Sequence, residues 1–404
     1  MYYLGIDIAK KKHHTVLLDS EGEKVGKSFS FDNSQEGTNS LLQYIKERGI
    51  TKNEVLIGME ATGNFWENLY SFLTDREFKV IVLNPHQTNK FREAIRKKAK
   101  TDDIDALVIA GLLRSNEYSA SYIPKESIEN IRELVKLRYG FKKDHRNYKR
   151  EAMSLLNLVF PEYSKTAIKN PFTIAATAIL TKYPTAKHLA AAKPKKIEKI
   201  VRSIKGNNFN IKEIETLIAT AKASIYSGRS AEVRAMKLRM LLSHIESLNK
   251  SIETINKHIE DILSPSSDKG SFPGQNLFTI PGIGPKTIAT MLSLVGDTGA
   301  TFENGTKLVG HIGFFPQIFE SGETKYANKI SKKGPKYARW GLYMGAVACV
   351  RHNKEMQYLY YNKLSQGKTE KQALVCVAKK ITHMMLSMLK SGENYRPGRV
   401  FMIC

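Results

Sequence analysis

Hydrophobic residues in the first part of the chain fall into short runs that are separated by turn-forming residues. Runs that alternate or stay apolar over a few positions are typical of strands, whereas apolar residues at helical spacing are typical of amphipathic helices. The predicted strands are residues 1–9, 14–19, 27–31, 55–59 and 80–83, and the predicted helices are residues 34–48 and 65–73. Three strands followed by alternating helices and strands predict a mixed sheet covered by helices.

From Pro124 onward the sequence favours helices, so the predicted fold class is α/β plus all-α. The strand order before this point is the one expected of an RNase H-like fold. Residues 126–160 carry apolar positions at helical spacing, and a later segment carries a heptad pattern. Its positions are Leu241, Ile245, Leu248, Ile252, Ile255, Ile259 and Ile262. They predict a coiled-coil seam that either joins two copies of the chain, which we favour, or packs against 126–160 within one copy.

Residues 264–274 are a linker by composition, and a glycine-containing turn follows them. The sequence Ile280-Pro281-Gly282-Ile283-Gly284 leads into a predicted helix and matches the hairpin of helix-hairpin-helix modules. Glycines let a backbone approach a phosphate closely, and a helix N-terminus offers free N–H groups. We expect Gly282, Gly284 and Lys286 to bind nucleic acid, although an ordinary turn between helices would also account for the sequence.

The chain is strongly basic. With 63 Lys and Arg against 39 Asp and Glu, its formal net charge is +24, which indicates polyanionic partners. The densest part is residues 136–150, which hold seven cations and one acid, Asp144. Those cations are Lys136, Arg138, Lys142, Lys143, Arg146, Lys149 and Arg150. Because so many like charges on one helix repel, a phosphate backbone explains them better than a solvated helix face.

The sequence carries no signal for a membrane or for export. No apolar run reaches about 18 residues, and lysines stand at positions 10–12 where a signal peptide would be apolar. The cysteines, Cys349, Cys376 and Cys404, have no short spacing, which indicates neither a disulfide framework nor a zinc site. We expect a cytoplasmic protein that does not contact a membrane.

Several acidic residues lie in or beside apolar segments, where an isolated carboxylate is costly. Asp7 interrupts the first predicted strand, Glu60 follows the strand at 55–59, and Asp102 and Asp105 begin a predicted helix. On that helix Asp102 and Asp105 share a face, while Asp103 is turned about 100° away. Carboxylates brought together resist ionisation unless a cation holds them, and hard oxygen ligands suit Mg²⁺. We therefore predict a Mg²⁺-dependent phosphodiester site made of Asp7, Glu60, Asp102 and Asp105.

A structural role is the alternative for the acids of the helix. Three residues are suited to cap its N-terminus, namely Thr101, Asp102 and Asp103. Asp105 has Lys100 or Arg114 as a possible ion-pair partner. We favour capping for Asp103 alone. In the predicted sheet Asp7 points to the same face as Gly5, and we expect the missing side chain to leave room for a ligand there.

Residues 313–350 contain a basic loop before a predicted helix. Its cations are suited to a nucleic-acid backbone, namely Lys332, Lys333, Lys336 and Arg339. Ser321 precedes this loop and is followed by a glycine. Taken alone, such a serine is usually a turn residue, since no His or Asp lies beside it to serve as a base.

These motifs together resemble the transposases of the IS one-ten family of insertion sequences, which are DEDD-type recombinases guided by a bridge RNA. The resemblance runs over nearly the whole chain, and the ordered set is more specific than any single motif. The matching stretches are residues 5–10, 60–63, 100–106, 280–284, 321–322 and 330–334.

The resemblance implies a RuvC-like domain at 1–124, a helical and coiled-coil region at 125–265, and a C-terminal transposase domain at 266–404. It implies that the DEDD tetrad, Asp7, Glu60, Asp102 and Asp105, binds Mg²⁺. It also implies that Ser321 attacks the scissile DNA phosphate and forms a transient phosphoserine link. The neighbours of Ser321 depart from the family pattern because Glu320 and Glu323 flank it, so Ser331 is the alternative nucleophile.

The partners implied are donor and target DNA, a guide RNA, and further copies of the chain as a dimer or a pair of dimers. One alternative is a metal-dependent nuclease or Holliday-junction resolvase without strand transfer. A sugar-kinase or actin-like ATPase is a second, but Asp7-Ile8-Ala9 replaces its Asp-x-Gly phosphate loop. The third, an architectural nucleic-acid binder, leaves the acids unexplained because they would weaken binding.

Overall fold

The computed structural model describes most of the chain in two compact units, residues 1–123 and residues 124–404, which are treated separately below. The described residues are 1–61, 63–95, 101–120, 123–166, 168–204, 209–264, 272, 274–316, 319–321, 324–326 and 330–398. The predicted linker at 264–274 lies largely outside them. In none of the described helices is there a stretch long and apolar enough to cross a membrane.

The first unit is a five-stranded sheet with helices. Its strands are β1 (Tyr2–Asp7), β2 (Lys12–Leu18), β3 (Phe29–Asp32), β4 (Val55–Glu60) and β5 (Lys79–Leu83). Its helices are α1 (Gln35–Lys46), α2 (Phe65–Thr74), α3 (Pro85–Ala94) and α4 (Asp102–Ser115). The sheet order is β3-β2-β1-β4-β5, with β1 antiparallel to β2 and parallel to β4. The predicted strands, helices and mixed sheet are confirmed.

Helix α4 crosses the sheet directly over a pair of glycines. Gly5 of β1 is paired with Gly58 of β4, and a Cβ atom on Gly5 would lie 2.1 Å from the carbonyl oxygen of Ala106. The expectation that Gly5 leaves room for a ligand is therefore wrong, because the α4 backbone fills that space. Close packing of α4 buries its apolar side, including Ile109 and Leu113.

Among its described residues, the second unit is helical apart from one hairpin. Its first helices are α5 (Glu126–Val159), α6 (Ile174–Lys182), α7 (Ala186–Ala190), α8 (Pro194–Arg202), α9 (Ile211–Lys222) and α10 (Ala231–Leu263). Next come α11 (Pro285–Val295), α12 (Gly305–Ile312), the hairpin strands β6 (Phe319–Ser321) and β7 (Thr324–Tyr326), and α13 (Lys336–His352), α14 (Lys354–Ser365) and α15 (Glu370–Ser391). Short 3₁₀ helices span Tyr163–Lys165 and Gln275–Thr279.

Helices α5 and α10 pack against each other along their length and connect two hydrophobic cores. One core includes Ile131 of α5 and Ile259 of α10, and the other includes Leu156 of α5 and Leu242 of α10. Both long helices run through both cores, and residues 124–404 form one compact unit. The division of this unit into domains at 125–265 and 266–404 stays a prediction.

The heptad seam of α10 is covered within the chain. Leu241, Ile245, Ile252, Ile255 and Ile259 are each no more than 5% exposed, and α5 is the main partner of this helix. The alternative of an intramolecular helix pair is therefore the one that occurs. Self-association through this seam, which the heptads alone favoured, would have to use its half-buried positions, Leu248 and Ile262.

Candidate active site

Two of the predicted carboxylates lie at the ends of neighbouring parallel strands. Asp7 is the last residue of β1 and Glu60 the last of β4, and the preceding residues Ile6 and Met59 are register partners. Because the carboxyl ends of parallel strands meet at one edge of a sheet, both side chains reach the same edge.

The other two carboxylates come from the first turn of α4. Thr101 is the N-cap, and its hydroxyl oxygen accepts a hydrogen bond of 3.3 Å from the backbone N–H of Ile104. Since α4 packs on β1 through Ala106, the turn that carries Asp102 and Asp105 lies close to the end of β1.

Asp103 does not have the capping role that the sequence favoured. Its carboxylate lies 3.1 Å from the Lys24 ammonium. A hydrogen bond with the Ser28 side chain and the nearby Lys24 hold the pKa of Asp103 below its usual range. Thr101 takes the capping position, so Asp103 is free to point away from the tetrad and pair with the β2–β3 connection.

The electrostatics of Asp7 show that the four acids form one cluster. The pKa of Asp7 is raised from 3.8 to about 6, first by burial and then by the charges of Asp105, Asp102 and Glu60. The guanidinium of Arg92 lowers the same pKa but does not cancel these effects. A carboxyl group that holds its proton against like charges is one that a bound cation would stabilise in its ionised form.

Each of the other three acids has a partner that the sequence did not reveal. Arg92 of α3 lies 2.5 Å from a carboxylate oxygen of Asp105, with these side chains only 16% and 15% exposed, respectively. Thr88, one turn earlier in α3, donates a hydrogen bond of 2.5 Å to Glu60. His14 Nε2 lies 3.1 Å from Asp102.

Two local features place these partners on their own elements. Asn84 and Pro85 start α3, with Asn84 as N-cap and Pro85 in the first turn, and this start places Thr88 and Arg92 on one face four residues apart. His14 is the direct antiparallel partner of Asp7 in the β1–β2 ladder, while its other ring nitrogen lies 2.9 Å from the Ser30 hydroxyl.

The donor set fits a hard divalent cation, since four carboxylates supply oxygen ligands and the charge of Arg92 does not cancel the effect of the other three on the pKa of Asp7. As the side chains stand, no group of three or more His, Cys, Asp or Glu within the described residues is arranged to hold a metal ion. Asp105 is directed to Arg92 and Asp102 to His14. Ligation by the tetrad therefore requires these contacts to rearrange.

The two candidate serines lie in the second unit. Ser321 ends β6, and its backbone pairs with Thr324 of β7. Ser331 donates its N–H to the Phe315 carbonyl, and its hydroxyl oxygen accepts a hydrogen bond of 3.3 Å from the N–H of Lys333. The Ser331 hydroxyl thus supports a local turn.

The cations of the basic loop differ in their surroundings. Lys332, Lys333 and Lys336 are exposed. Arg339 is half-buried and donates hydrogen bonds to the carbonyls of Ile312 and Gly334, at 2.8 and 2.5 Å. Arg339 therefore holds the loop in place through backbone contacts, in addition to any contact it makes with nucleic acid.

The basic segment of α5 has two faces. Lys136, Lys143, Arg146 and Arg150 are exposed, and Lys136 and Arg150 contact Glu133 and Asn147 on the same helix. The remaining cations are half-buried on a face that points into the unit, namely Arg138, Lys142 and Lys149. The basic segment of α5 therefore has an outer group of exposed cations and an inner group of half-buried cations.

The turn before α11 needs its first glycine for packing. Gly282 has φ +87, and a Cβ atom there would lie 2.8 Å from Cys349 Cα of α13, whereas one on Gly284 would meet open space. Pro285 has no N–H, and the N–H of Thr287 donates to the Gly284 carbonyl, so neither is available to a phosphate. The element before the turn is the 3₁₀ helix Gln275–Thr279.

Comparison with known proteins finds similarity to transposases over both units. Residues 4–161 match the DEDD transposase family of IS110, and residues 274–361 match the family described as Transposase IS116/IS110/IS902 family. Both matched segments contain motifs on which the sequence resemblance rests.

Two full-length relatives are similar across almost the entire chain. A 44.8 kDa protein of insertion element IS116 from Streptomyces clavuligerus is 23% identical, over 98% of this chain and 96% of its own length. The pilin gene-inverting protein of Moraxella bovis is 22% identical, over 97% of both chains. The transposase for IS1111A of Coxiella burnetii is 31% identical over 127 residues, which are 31% of this chain and 35% of its own.

Proposed function

Because this chain belongs to the IS110 (IS one-ten) family of insertion-sequence transposases, we propose that it breaks and rejoins DNA phosphodiesters with a Mg²⁺-binding DEDD site and a serine nucleophile. Membership of the family makes it a DNA-rearranging enzyme. The observation that carries the metal site is the placement of Asp7 and Glu60 at the ends of paired parallel strands, with Asp102 and Asp105 in the first turn of α4, and the raised pKa of Asp7 agrees with it. The strand order β3-β2-β1-β4-β5 supports an RNase H-like class for the first unit.

In this proposal Asp7, Glu60, Asp102 and Asp105 hold the metal ion, which when bound withdraws charge from a scissile phosphate. Thr88 keeps the Glu60 carboxylate oriented, and His14 holds Asp102 in place before the metal ion binds. Arg92 partly neutralises the cluster, so the acids can remain close to one another before a substrate arrives. The Thr88 contact fixes an oxygen of Glu60 in position, whereas the Arg92 and His14 contacts rearrange when the metal ion binds.

Ser321 is proposed to bond to the scissile phosphorus while a deoxyribose hydroxyl leaves. Attack on that phosphoserine by the hydroxyl of a second strand then restores the serine and joins the new strands. Ser331 is the weaker candidate because its hydroxyl supports a turn. The family resemblance supports a bridge RNA as the source of sequence specificity, since base pairing would relieve the protein of reading DNA sequence. It also supports assembly on two DNA duplexes as a dimer or a pair of dimers.

Metal binding is tested separately from chemistry by thermal unfolding with increasing Mg²⁺. We expect Mg²⁺ to raise the midpoint of the wild-type protein and to have little effect on Asp7→Asn. Asp103→Asn is the matched control, because Asp103 carries the same charge one residue from Asp102 but pairs with Lys24. Equal responses of the Asp7 and Asp103 variants would show that the tetrad does not bind the metal.

Chemistry is tested with DNA that carries the joined ends of the protein's own insertion element, together with its flanking transcript. We expect a covalent protein–DNA adduct that survives denaturation and is lost in Ser321→Ala but retained in Ser331→Ala. The alternative function, a hydrolytic nuclease or junction resolvase, gives Mg²⁺-dependent cleavage and never an adduct. An adduct that persists in Ser321→Ala would remove this serine from the mechanism.

A further inference from the structure

A cleft in the second unit lies between the start of α11 and helices α5 and α13. Its volume is about 640 Å³, within the range of roughly 300–1,000 Å³ that small-ligand sites occupy. The residues used below are Arg138, Lys142, Lys286, Ile283, Trp340 and Met344, all of which line it. None of its lining residues in the described part of the chain is acidic.

The cations of the cleft repel one another. Burial lowers the pKa of Lys142, and the charges of Arg138, Lys149 and Lys286 lower it further. The Lys286 ammonium lies 3.9 Å from the Glu260 carboxylate, and both side chains are nearly half exposed, so this ion pair is weak. An anion between these side chains would relieve the repulsion, so the cleft is built to receive one.

One wall of the cleft is aromatic and held in a fixed position. The Arg138 guanidinium lies 5.3 Å from the centre of the Trp340 ring, and the Tyr139 ring lies 6.0 Å from it. Arg138 is itself fixed by a hydrogen bond of 2.7 Å from its Nε to Asn256 of α10. Beside the ring, Met344 is 45% exposed. An indole in this setting offers a planar apolar surface next to positive charge.

We propose that this cleft binds one nucleotide of an unpaired strand, with a phosphate among Lys142, Lys286 and Arg138 and the base stacked against Trp340. A base inside a duplex is covered on both faces by its neighbours, so it cannot present a face to an indole. The cleft therefore selects single-stranded segments, whereas the exposed cations of α5 contact any phosphate backbone. The proposal rests on the function proposed above, because it supplies the nucleic acid.

Trp340 gives a direct readout, since the chain has only two tryptophans and the other, Trp66, lies in the first unit. We therefore take full-length Trp66→Phe and titrate it with a twelve-nucleotide oligothymidylate, its oligouridylate counterpart, and a blunt duplex. Saturating single strands are expected to quench the Trp340 fluorescence, and the duplex is expected to bind without quenching it. The two single strands distinguish DNA from RNA as the source of the nucleotide.

Neighbouring lysines provide a matched pair of variants. Lys142 lines the cleft and Lys143 is exposed and does not, so Lys142→Gln and Lys143→Gln remove the same charge from the same helix. We expect Lys142→Gln to weaken single-strand binding several times more than Lys143→Gln, whereas Lys143→Gln weakens duplex binding at least as much as Lys142→Gln. Trp340→Ala is expected to weaken single-strand binding by roughly 5- to 150-fold, the range for one stacked base.

Equal effects of the two lysine variants on single strands, or single-strand binding without quenching, would overturn the proposal. Trp340→Phe keeps an aromatic face and is expected to retain most of the affinity, which separates stacking from a loss of fold. Asp7→Asn, combined with Trp66→Phe, is expected to show the same quenching of Trp340 by single strands as Trp66→Phe alone. If single strands do not quench Trp340 while DNA cleavage is normal, the cleft proposal is wrong. If quenching is normal while cleavage does not depend on the tetrad, the proposed function is wrong.

Discussion

The position of helix α4 depends on the absence of a side chain at Gly5. A methyl group introduced by Gly5→Ala would lie 2.1 Å from the Ala106 carbonyl oxygen and 2.5 Å from the Ala110 nitrogen. Ordinary carbon contacts lie at about 3.5 Å, so the helix must withdraw by more than about 1 Å. Both obstructing atoms are backbone, and the helix can only move as a body. Overpacking of this kind costs about 1–3 kcal/mol of the free energy of unfolding, or more.

The same displacement separates the tetrad. Asp102 and Asp105 move with α4, while Asp7 and Glu60 stay with the sheet. Ligand distances in metal sites are tolerated only within about 0.2 Å, so a shift of about 1 Å is expected to lower Mg²⁺ affinity at least roughly tenfold. The assay is isothermal titration with Mg²⁺ at a temperature where the variant is folded, together with urea denaturation to measure stability.

Gly58→Ala is the control, because Gly58 pairs with Gly5 in the sheet and also lies under α4. A Cβ atom there would meet the side chain of Leu113 at 2.6 Å and that of Ile109 at 3.1 Å, and side-chain ends can move where backbone cannot. We expect a smaller loss of stability and a Mg²⁺ affinity close to wild type. If Gly5→Ala binds Mg²⁺ as the wild type does, α4 does not set the geometry of the site.

Three further outcomes are expected. Gly282→Ala should lower the unfolding free energy by more than about 1 kcal/mol because of its positive φ and close contact, whereas Gly284→Ala should change it little; equal effects in chemical denaturation would contradict this. Because the pKa of Asp7 is raised to about 6 in the folded state, its contribution to stability is complete below about pH 4 and is lost as pH rises through 6. Asp7→Asn should therefore flatten the pH profile of metal-free unfolding between pH 4 and 7 and stabilise the protein at pH 7. Ile255→Asp should lower the melting temperature equally at all protein concentrations, whereas a concentration-dependent loss would indicate a seam between chains.

The sequence was sufficient to predict the sheet and the carboxylate cluster, because each depends on short-range patterns. Asp7 and Glu60 end apolar strands that are parallel neighbours, and Asp102 and Asp105 share a turn of one helix. The role of Gly5, in contrast, could not be predicted from the sequence. Its missing side chain indicates that something approaches closely, but only the packing shows that it is a helix backbone and not a ligand.

Long-range pairing is what the sequence left undetermined. Nothing in the spacing of residues shows that Arg92 reaches Asp105, since the two lie on different helices and each has closer charged residues in the chain. The heptad pattern of α10 likewise predicts a seam, but periodicity describes one helix face and not its partner. The partner is α5, whose own apolar positions are interrupted by cations and so carry a weaker signal.

The two long helices also set a distance. Helix α5 has 34 residues and spans about 50 Å, and the hydrophobic cores at its two ends share no residue. The number of residues in α5 therefore sets the spacing between those cores. Excising one heptad from α5 and one from α10 would draw them about 10 Å closer while preserving which side chains interlock. The distance between the two cores can therefore be lengthened or shortened by whole heptads without changing the residues of either core.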